Sequence, residues 1–312
     1  MEFEHTIERP AETSGTGLHT GVFCNLRLLP APSGTGVVFR RVDLDGFEVE
    51  ARASNVARVS YATSLMKKGV LISTTEHLLA ALYSCGVDNV YVELDNLELP
   101  ILDGSARPFI NLIASAGRKQ QRRHRRYLEI LHPVEVRDGD PGSDHHRCIA
   151  IYPPAAAHGA PGRASNGAGL SVDYSIDFAH PMIGRQRLQF ELTEARFTEL
   201  LSAARTFCPY DEVEKLRQMG LIRGGSLDCA VVLTRDGIMN SQGLRYPDEF
   251  CRHKALDLIG DLALVGRPLI GRVVAHRAGH ALHTAIVLKL LRTPSAWHEV
   301  TADHLASSAS AR

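Results

Sequence analysis

The sequence predicts an α+β protein in which sheets and helices form packed layers in both halves of the chain. Two observations support this prediction. The 312 residues are 44% hydrophobic, which is enough apolar material for a sizeable core. Segments with the strict alternation of half-buried strands occur in both halves, and segments with apolar residues at helical spacing lie between them.

The strands and helices can be placed by these two periodicities. The predicted strands are 22–31, 36–42, 89–96, 127–138, 145–154 and 170–178. The predicted helices are 74–85, 106–116, 194–204, 211–219, 248–265 and 280–291. Gly86 suits the C-terminal end of the first helix and Pro108 the first turn of the second. We expect a mobile loop at 155–169, which is rich in Gly, Ala and Ser, and a disordered C-terminal ASSASAR.

A basic run, GRKQQRRHRRY, occupies residues 117–127, and six of its residues are Lys or Arg. We interpret it as a solvated helix end and interdomain linker rather than a functional basic patch. A contact with an anionic lipid or a nucleotide stays open as the alternative.

Composition argues against several classes of protein. Lys+Arg and Asp+Glu both number 35, whereas a dedicated nucleic-acid-binding protein carries a basic excess. The six cysteines form no C-x-x-C pair and are widely spaced, so we expect free thiols in a reducing compartment. The N-terminal MEFEHTIERP has no apolar signal region, and no run reaches the length that spans a bilayer. Together these features predict a cytoplasmic protein.

The stretch STTEHLLAAL, residues 73–82, has two interpretations. Ser73 and Glu76 have the S-x-x-E spacing of a capping box, and this structural interpretation is the better one for the stretch alone. Alternatively, His77 is a metal ligand and Glu76 is the base beside the metal. Since a catalytic zinc usually takes three protein ligands, this second interpretation needs partners for His77.

Partners for His77 are available in residues 245–266. His253, Asp257 and Asp261 are spaced i, i+4 and i+8, so they share one face of the predicted helix. Taken alone, an ordinary surface His–Asp pair is the better interpretation. With His77 added, however, His253 and Asp257 complete a set of two histidines and one carboxylate that leaves a fourth position open on zinc.

His280 lies at a glycine-to-helix junction in HRAGHALH, residues 276–283. If Asp261 lies against it, the carboxylate would hold the imidazole protonated and oriented as a general acid. A helix-start histidine without a catalytic role is the alternative. Spacing alone does not show that residues 77, 253 and 280 come together.

A family resemblance supplies this link. The matching segments are SGTGLHTG (14–21), TTEHLLAAL (74–82), ELPILDGSARPF (98–109), ARTF (204–207), IRGGSLDCAVVL (222–233), GLRYPDEFCRHKALDLIGDLALVGRPLIG (243–271) and AGHAL (278–282). In this order they resemble UDP-3-O-acyl-N-acetylglucosamine deacetylases, the zinc enzymes that commit Gram-negative bacteria to lipid A synthesis. The resemblance extends from about residue 5 to residue 291.

The resemblance implies two domains, each a two-layer α/β sandwich, with the active site in the cleft between them. The N-terminal domain would comprise residues 1–125 and the C-terminal domain residues 126–295, followed by a tail at 296–312. An insert at about 205–233 would form the apolar passage for the acyl chain of the substrate. The family also implies a monomer that acts on a small molecule, without bound nucleic acid and without stable membrane insertion.

The resemblance also implies roles for individual residues. One zinc ion per chain would be held by His77, His253 and Asp257. Glu76 would take the proton of the attacking water, and His280, supported by Asp261, would protonate the leaving amine. Thr206 would help to stabilise the oxyanion.

The remaining implied roles concern binding of the substrate. Lys254 would contact the sugar or phosphates, and Phe207 would line the acyl passage. Arg277 stands where the family often has lysine, His283 where it usually has asparagine, and Tyr152 where a basic residue often precedes the proline.

Three other functions compete with the deacetylase. A non-catalytic zinc-binding paralogue that regulates lipid A supply would be favoured by a lost base or ligand, and none is lost. A zinc peptidase is disfavoured because no H-E-x-x-H occurs. A nucleic-acid-binding protein using residues 118–126 is disfavoured by the zero net charge.

Overall fold

The computed structural model describes residues 2–140, 143, 145–154 and 169–301. All six predicted helices are present in these residues. They are α1 (Glu76–Ser84), α2 (Arg107–Ala116), α3 (Glu194–Leu200), α4 (Tyr210–Gln218), α5 (Glu249–Leu262) and α6 (His280–Leu291). A 3-10 turn at Ala263–Val265 extends α5 to its predicted end. Pro108 lies in the first turn of α2, as predicted.

The strands are shorter and more numerous than predicted. In the first half they are β1 (Phe3–Ile7), β2 (Ala11–Thr16), β3 (Phe23–Pro30), β4 (Val37–Arg41), β5 (Phe47–Glu50), β6 (Val56–Arg58), β7 (Ser64–Lys67), β8 (Val70–Ile72), β9 (Val90–Leu94) and β10 (Arg118–His124). In the second half they are β11 (Arg126–Ile130), β12 (Val134–Asp138), β13 (Arg147–Tyr152), β14 (Leu170–Asp177), β15 (Arg185–Glu191), β16 (Phe207–Pro209), β17 (Val231–Thr234), β18 (Gly237–Ile238), β19 (Leu269–His276) and β20 (Trp297–Thr301).

Two predicted elements differ from the structure for identifiable reasons. The single strand expected at 127–138 is divided into β11 and β12, and Pro133, which cannot donate to a strand ladder, lies in the break. Helix α3 ends at Leu200 instead of residue 204. The chain leaves the helical path there because the backbone N–H and guanidinium of Arg205 bind the carboxylate of Glu249.

Each half has one large sheet. The first has the strand order β2-β3-β9-β4-β5, and the second has seven strands built around β12-β13-β19-β11-β20, with β14 and β15 attached through β19. Helix α2 contacts β2 and packs on α1, while α5 and α6 pack on each other and contact strands of the second sheet. The protein is therefore an α+β structure with helices layered on sheets.

The two halves meet where α1 packs on α5. Gly260 makes this close approach possible, because a Cβ atom at this position would overlap the backbone carbonyl of Glu76. The contact brings the start of α1, from the first half, against the middle of α5, from the second. Apolar residues of both helices belong to one buried core, including Leu78, Leu79 and Leu258.

The basic run is a strand, so its interpretation as a helix end was wrong, while its place as an interdomain linker stays a prediction. Residues Arg118–His124 form β10, which pairs antiparallel with β1. Acidic residues close in space to the run pair with it: Glu4 contacts Arg123, and Glu2 and Asp88 contact Arg125. The pairing of β10 with β1 joins residues more than 100 positions apart in the sequence, which local charge patterning does not reveal.

The remaining predictions concern the cysteines, membrane spans, a loop, the C-terminal tail and the domain boundary. All six cysteines are free thiols, as expected. Within the described residues, no helix is both long enough and apolar enough to cross a membrane. Most of the predicted loop at 155–169 and the C-terminal ASSASAR lie outside the described residues. The domain boundary predicted at residue 125 falls between β10 and β11 and stays a prediction.

Candidate active site

The turn before α1 is held in an unusual conformation. Thr74 has φ 60°, a left-handed value that is rare for a β-branched residue. Its hydroxyl donates to the buried carboxylate of Glu98 at 2.8 Å. Glu98 also accepts from the backbone N–H groups of His19 and Thr20, at 2.9 and 2.7 Å. This network fixes the direction in which α1 begins, and both Glu76 and His77 are buried there.

The capping box predicted at this helix start does not form. The N-cap residue is Thr75, which makes no side-chain capping hydrogen bond. Ser73 lies two residues earlier in a strand-like bridge to Glu98, and its hydroxyl pairs with that of Ser64 at 2.9 Å. The carboxylate of Glu76 accepts instead from the backbone N–H of Thr63 at 3.0 Å. Glu76 is thereby directed away from the helix terminus and into the cleft.

His77, His253 and Asp257 converge in a buried cluster, although they come from α1 and α5. The Oδ1 atom of Asp257 lies 3.4 Å from Nε2 of His253 and 3.6 Å from Nε2 of His77. One ligand atom from each residue lies within 4.8 Å of the others. Tetrahedral zinc with bonds of about 2.0–2.2 Å sets its ligand atoms about 3.3 Å apart, so the spacing suits a metal ion.

The chemistry of these donors also fits a metal ion. The buried Oδ1 of Asp257 has no hydrogen-bond partner among the described residues. The Nδ1 atom of His253 lies 3.1 Å from the carbonyl oxygen of Ala204, which leaves Nε2 facing the cluster. Burial lowers the pKa of His253 to about 3, so the ring is neutral and able to act as a ligand.

A second group, Asp261, His280 and His283, also has the residue types of a metal site. Its spacing is that of hydrogen bonds. The Oδ2 atom of Asp261 lies 2.8 Å from Nδ1 of His280 and 2.9 Å from Nδ1 of His283. These distances are shorter than the separation of about 3.3 Å between tetrahedral zinc ligands. The first group therefore has the spacing of metal ligands, and the second has the spacing of a hydrogen-bonded cluster.

Glu76 and His280 face each other across the cleft. The Nε2 atom of His280 lies 4.0 Å from Oε1 of Glu76 and 3.7 Å from Oδ2 of Asp257. Burial raises the pKa of Glu76, although His280 and His77 oppose this effect. Burial alone would lower the pKa of His280, but the carboxylates of Asp261 and Asp257 outweigh it and raise the pKa to about 9. The pair thus combines a carboxyl group whose pKa is raised with an imidazole that stays protonated at neutral pH.

The other predicted residues surround this centre. Lys254 donates to Oδ2 of Asp257 at 2.8 Å. Burial opposes its charge, yet Asp257 raises its pKa, so Lys254 stays a cation. Phe207 packs edge-on against Phe250 with ring centroids 4.9 Å apart. Arg277 lies in the turn between β19 and α6, with φ 51°, three residues before His280.

An apolar cavity of about 370 Å³ opens beside the cluster. Among the residues that line it are Leu18, Tyr61, Thr206, Phe207, Leu227 and Val232. Thr206 and Phe207 therefore lie at its inner end, close to His253, since the rings of Phe207 and His253 are 6.2 Å apart. Such a cavity next to a polar centre suits a ligand with an extended apolar part.

The chain matches one known protein family over nearly its whole length. The LpxC family profile, described as UDP-3-O-acyl N-acetylglycosamine deacetylase, matches residues 4–292. The chain is 53% identical over 307 residues to the UDP-3-O-acyl-N-acetylglucosamine deacetylase of Solibacter usitatus, covering 98% of this chain and 97% of that protein. The protein belongs to the LpxC deacetylase family.

More distant relatives agree with this assignment. The chain is 43% identical to the deacetylase of the same name from Anaeromyxobacter sp., covering 93% of this chain and 89% of that protein. It is 40% identical to that from Saccharophagus degradans, with 96% and 93% covered. Membership of the LpxC family identifies the chain as an enzyme of the deacetylase class, and its buried His/Asp cluster could bind a metal.

The structure of this LpxC-family chain also contains site residues that the sequence interpretation missed. Thr63 donates its hydroxyl to Oδ1 of Asp261 at 2.5 Å and lies 3.1 Å from Nδ1 of His280. The buried pair of Arg205 and Glu249, 2.8 Å apart, fixes the segment that carries Thr206. A signal for this pair existed: Arg205 lies within ARTF and Glu249 within RYPDEF, two segments that matched the family. Thr63 lies in none of the matched segments.

Proposed function

We propose that the protein hydrolyses the N-acetyl group of UDP-3-O-acyl-N-acetylglucosamine, releasing acetate and a free amine, as the committed step of lipid A biosynthesis. One observation carries the proposal. A buried set of two imidazoles and a carboxylate lies beside a further carboxyl group and a protonated imidazole, with Glu76 and His280 4.0 Å apart. This is the arrangement that metal-assisted hydrolysis of an amide requires.

Zinc is the metal that we propose, at one ion per chain, because His77, His253 and Asp257 offer two nitrogens and one oxygen at tetrahedral spacing. When bound in such a site, zinc polarises the amide carbonyl and makes water acidic enough, with a pKa of about 7, to react at neutral pH. Burial lowers the pKa of His253 and keeps its ring neutral, and Asp257 is anionic because its pKa is lowered, so these two ligands hold a divalent cation without added repulsion.

Glu76 is the proposed general base. Its Oε2 atom is held by the backbone N–H of Thr63, which leaves Oε1 directed towards the cleft and His280. As the water oxygen attacks the acetyl carbon, Glu76 accepts a proton from that water. A positioned base of this kind contributes about 100- to 10,000-fold to the rate.

His280 is the proposed general acid. Its Nδ1 hydrogen is donated to Asp261, so its Nε2 hydrogen is the one available to the substrate. When the C–N bond breaks, the leaving nitrogen takes this proton and departs as an amine. Without it, the leaving group would be an amide anion, which is far less stable.

The surrounding residues bind the substrate. Thr206, at the inner end of the cavity, is proposed to stabilise the developing oxyanion. Lys254 is proposed to contact the sugar or phosphates, and Arg277, beside the start of α6, a phosphate, which its planar guanidinium can bind at two oxygens. Phe207 and the cavity lining are proposed to enclose the 3-O-acyl chain.

The organisation of the chain completes the proposal. We assign residues 1–125 and 126–295 to two domains with the active site between them, and the segment at about 205–233 to the acyl-binding insert. A monomeric protein that works in the cytoplasm, without bound nucleic acid or membrane insertion, fits this assignment.

The direct test is acetate release from UDP-3-O-acyl-N-acetylglucosamine by the purified wild type, by Glu76→Ala and by Glu12→Ala. Glu12 is an exposed carboxylate on β2 and serves as the matched control. We expect turnover in the wild type and in Glu12→Ala, and its loss in Glu76→Ala with about one zinc per chain in all three. Bound zinc without turnover at any acyl length would favour the non-catalytic paralogue.

A further inference from the structure

Asp261 is held by more donors than the acid–base pair needs. Its Oδ1 atom accepts from the hydroxyl of Thr63, and its Oδ2 atom lies within hydrogen-bond distance of Nδ1 in both His280 and His283. His283 is fully buried. The proposed reaction uses His280 and Asp261 but gives His283 no role.

The ionisation of Asp261 determines where the hydrogens of the neighbouring side chains lie. The charge of His280 and the hydrogen bonds from His280 and His283 oppose the effect of burial and lower the pKa of Asp261, which is therefore ionised and can only accept. Burial lowers the pKa of His283, so its ring is neutral with a single hydrogen. That hydrogen must lie on Nδ1, the atom 2.9 Å from Asp261.

The far side of the His283 ring is also fixed. Its unprotonated Nε2 atom lies 3.1 Å from the hydroxyl oxygen of Tyr174, whose single hydrogen can be donated either to this nitrogen or to the carbonyl oxygen of Ala278, 2.7 Å away. Tyr174 is itself fully buried on β14. The ring is therefore clamped between the second sheet and α5, and its orientation does not depend on the substrate.

We propose that His283 is a positioning residue of the acid. Its Nδ1–H holds Oδ2 of Asp261 at the point where this oxygen also accepts from Nδ1–H of His280. Any rotation of the carboxylate away from His280 would break the bond to His283 as well. His280 is thereby kept in the ring orientation that directs Nε2 into the cleft. The effect on turnover rests on the function proposed above.

The hydrogen position can be measured without any substrate. Imidazole ¹⁵N resonances of the wild-type protein at neutral pH distinguish protonated from unprotonated ring nitrogens. We expect Nδ1 of His283 to be protonated and its hydrogen to be protected from solvent exchange. An unprotonated Nδ1 would overturn the proposal, whatever the enzyme's activity.

Two substitutions separate the hydrogen bond from the packing of the ring. His283→Asn retains an N–H donor at about the position of Nδ1, whereas His283→Leu retains similar volume without a donor. We expect His283→Leu to lower kcat by about 10- to 100-fold, the usual effect of losing a hydrogen-bond partner behind a residue of the site. KM and zinc content should change little, and the Nδ1–H resonance of His280 should broaden or shift. His283→Asn should stay within about threefold of the wild-type kcat.

Other results of these experiments also test the positioning role of His283. Wild-type kcat in His283→Leu, or an equal loss in both variants with the fold and zinc retained, would show that the donor has no positioning role. If His283→Leu fails to fold, the wild-type spectrum and the His283→Asn kinetics carry the test. A wild type without turnover would contradict the proposed function alone, because the spectrum still reports on His283.

Discussion

The Oδ1 atom of Asp257 lies 3.4 Å from Nε2 of His253, yet the two atoms do not form a hydrogen bond. Because burial holds His253 neutral and Oδ1 lacks a partner, the two groups are stabilised only when a cation lies between them. We therefore expect metal binding to stabilise the fold. At a free zinc concentration 100 times Kd, the gain in the free energy of unfolding is about 2.7 kcal/mol.

This gain can be measured by urea unfolding of metal-free and zinc-loaded protein. Asp257→Asn should lose most of the gain because it removes the anionic ligand, whereas Asp236→Asn, at an exposed position, should keep it. Equal stabilisation of both variants would place the metal elsewhere.

The raised pKa of His280 predicts a pH dependence of stability in the metal-free protein. The folded-state pKa is about 9 and the reference value 6.5, so the protonated ring stabilises the fold. This contribution is fully present below about pH 6.5 and is lost as the pH rises through 9. Its size is on the order of 3 kcal/mol, at about 1.4 kcal/mol per pKa unit.

The measurement compares the free energy of unfolding of wild type and His280→Gln at pH 6 and above pH 9. We expect the wild type to be the more stable protein at pH 6 and the difference to shrink at the higher pH. A difference that grows with pH would contradict the assignment of the cation to His280.

Thr63 links the first half of the chain to Asp261, the carboxylate that lies against His280. Its hydroxyl donates to Asp261, and hydrogen bonds to charged groups contribute about 1.5–3 kcal/mol. If most of this is lost in the transition state, Thr63→Val lowers kcat by roughly 10- to 100-fold. Thr63→Ser, which keeps the hydroxyl, should retain most activity. Steady-state kinetics of both variants, with bound metal quantified, checks this expectation.

Gly260 sets the distance between α1 and α5. A methyl group at this position overlaps the carbonyl of Glu76, so Gly260→Ala must displace one helix from the other. We expect a loss of about 1–3 kcal/mol in the free energy of unfolding, together with reduced metal affinity. Gly237→Ala, where the nearest atom is 3.7 Å from the added carbon, is the control for denaturant unfolding and metal titration. Unchanged affinity in Gly260→Ala would mean that the halves adjust without moving His77.

The apolar cavity predicts a dependence on acyl length. Each methylene that enters it contributes about 0.8 kcal/mol, which corresponds to about fourfold in kcat/KM. We expect kcat/KM to rise with chain length until the cavity of about 370 Å³ is filled, and then to level off. In Val232→Trp, which fills part of the lining, the plateau should come at a shorter chain. A series of acylated substrates gives kcat/KM against acyl length for the wild type and for Val232→Trp. Equal kcat/KM for all lengths would show that the cavity does not bind the acyl chain.

The local sequence pattern was sufficient to predict where the helices lie. Helix α6 begins at His280 and ends at Leu291, as its apolar spacing and the preceding glycine predict. Helices α1, α2, α4 and α5 differ from the predicted ends by only a few residues. The pairing of β10 with β1 was not predictable, because strand pairing depends on partners distant in sequence and the run carries no apolar alternation.

The sequence by itself determined which groups are available: a glutamate and a histidine adjacent on α1, and three polar residues one turn apart on α5. Helical geometry places such groups without reference to the rest of the chain. Only the tertiary structure decided that α1 packs on α5 and that α6 directs His280 towards Asp261, because those distances depend on buried packing at Gly260 and on bonds to Thr63 and His283. The same packing removes water from the cluster, and burial then sets the ionisation of each group.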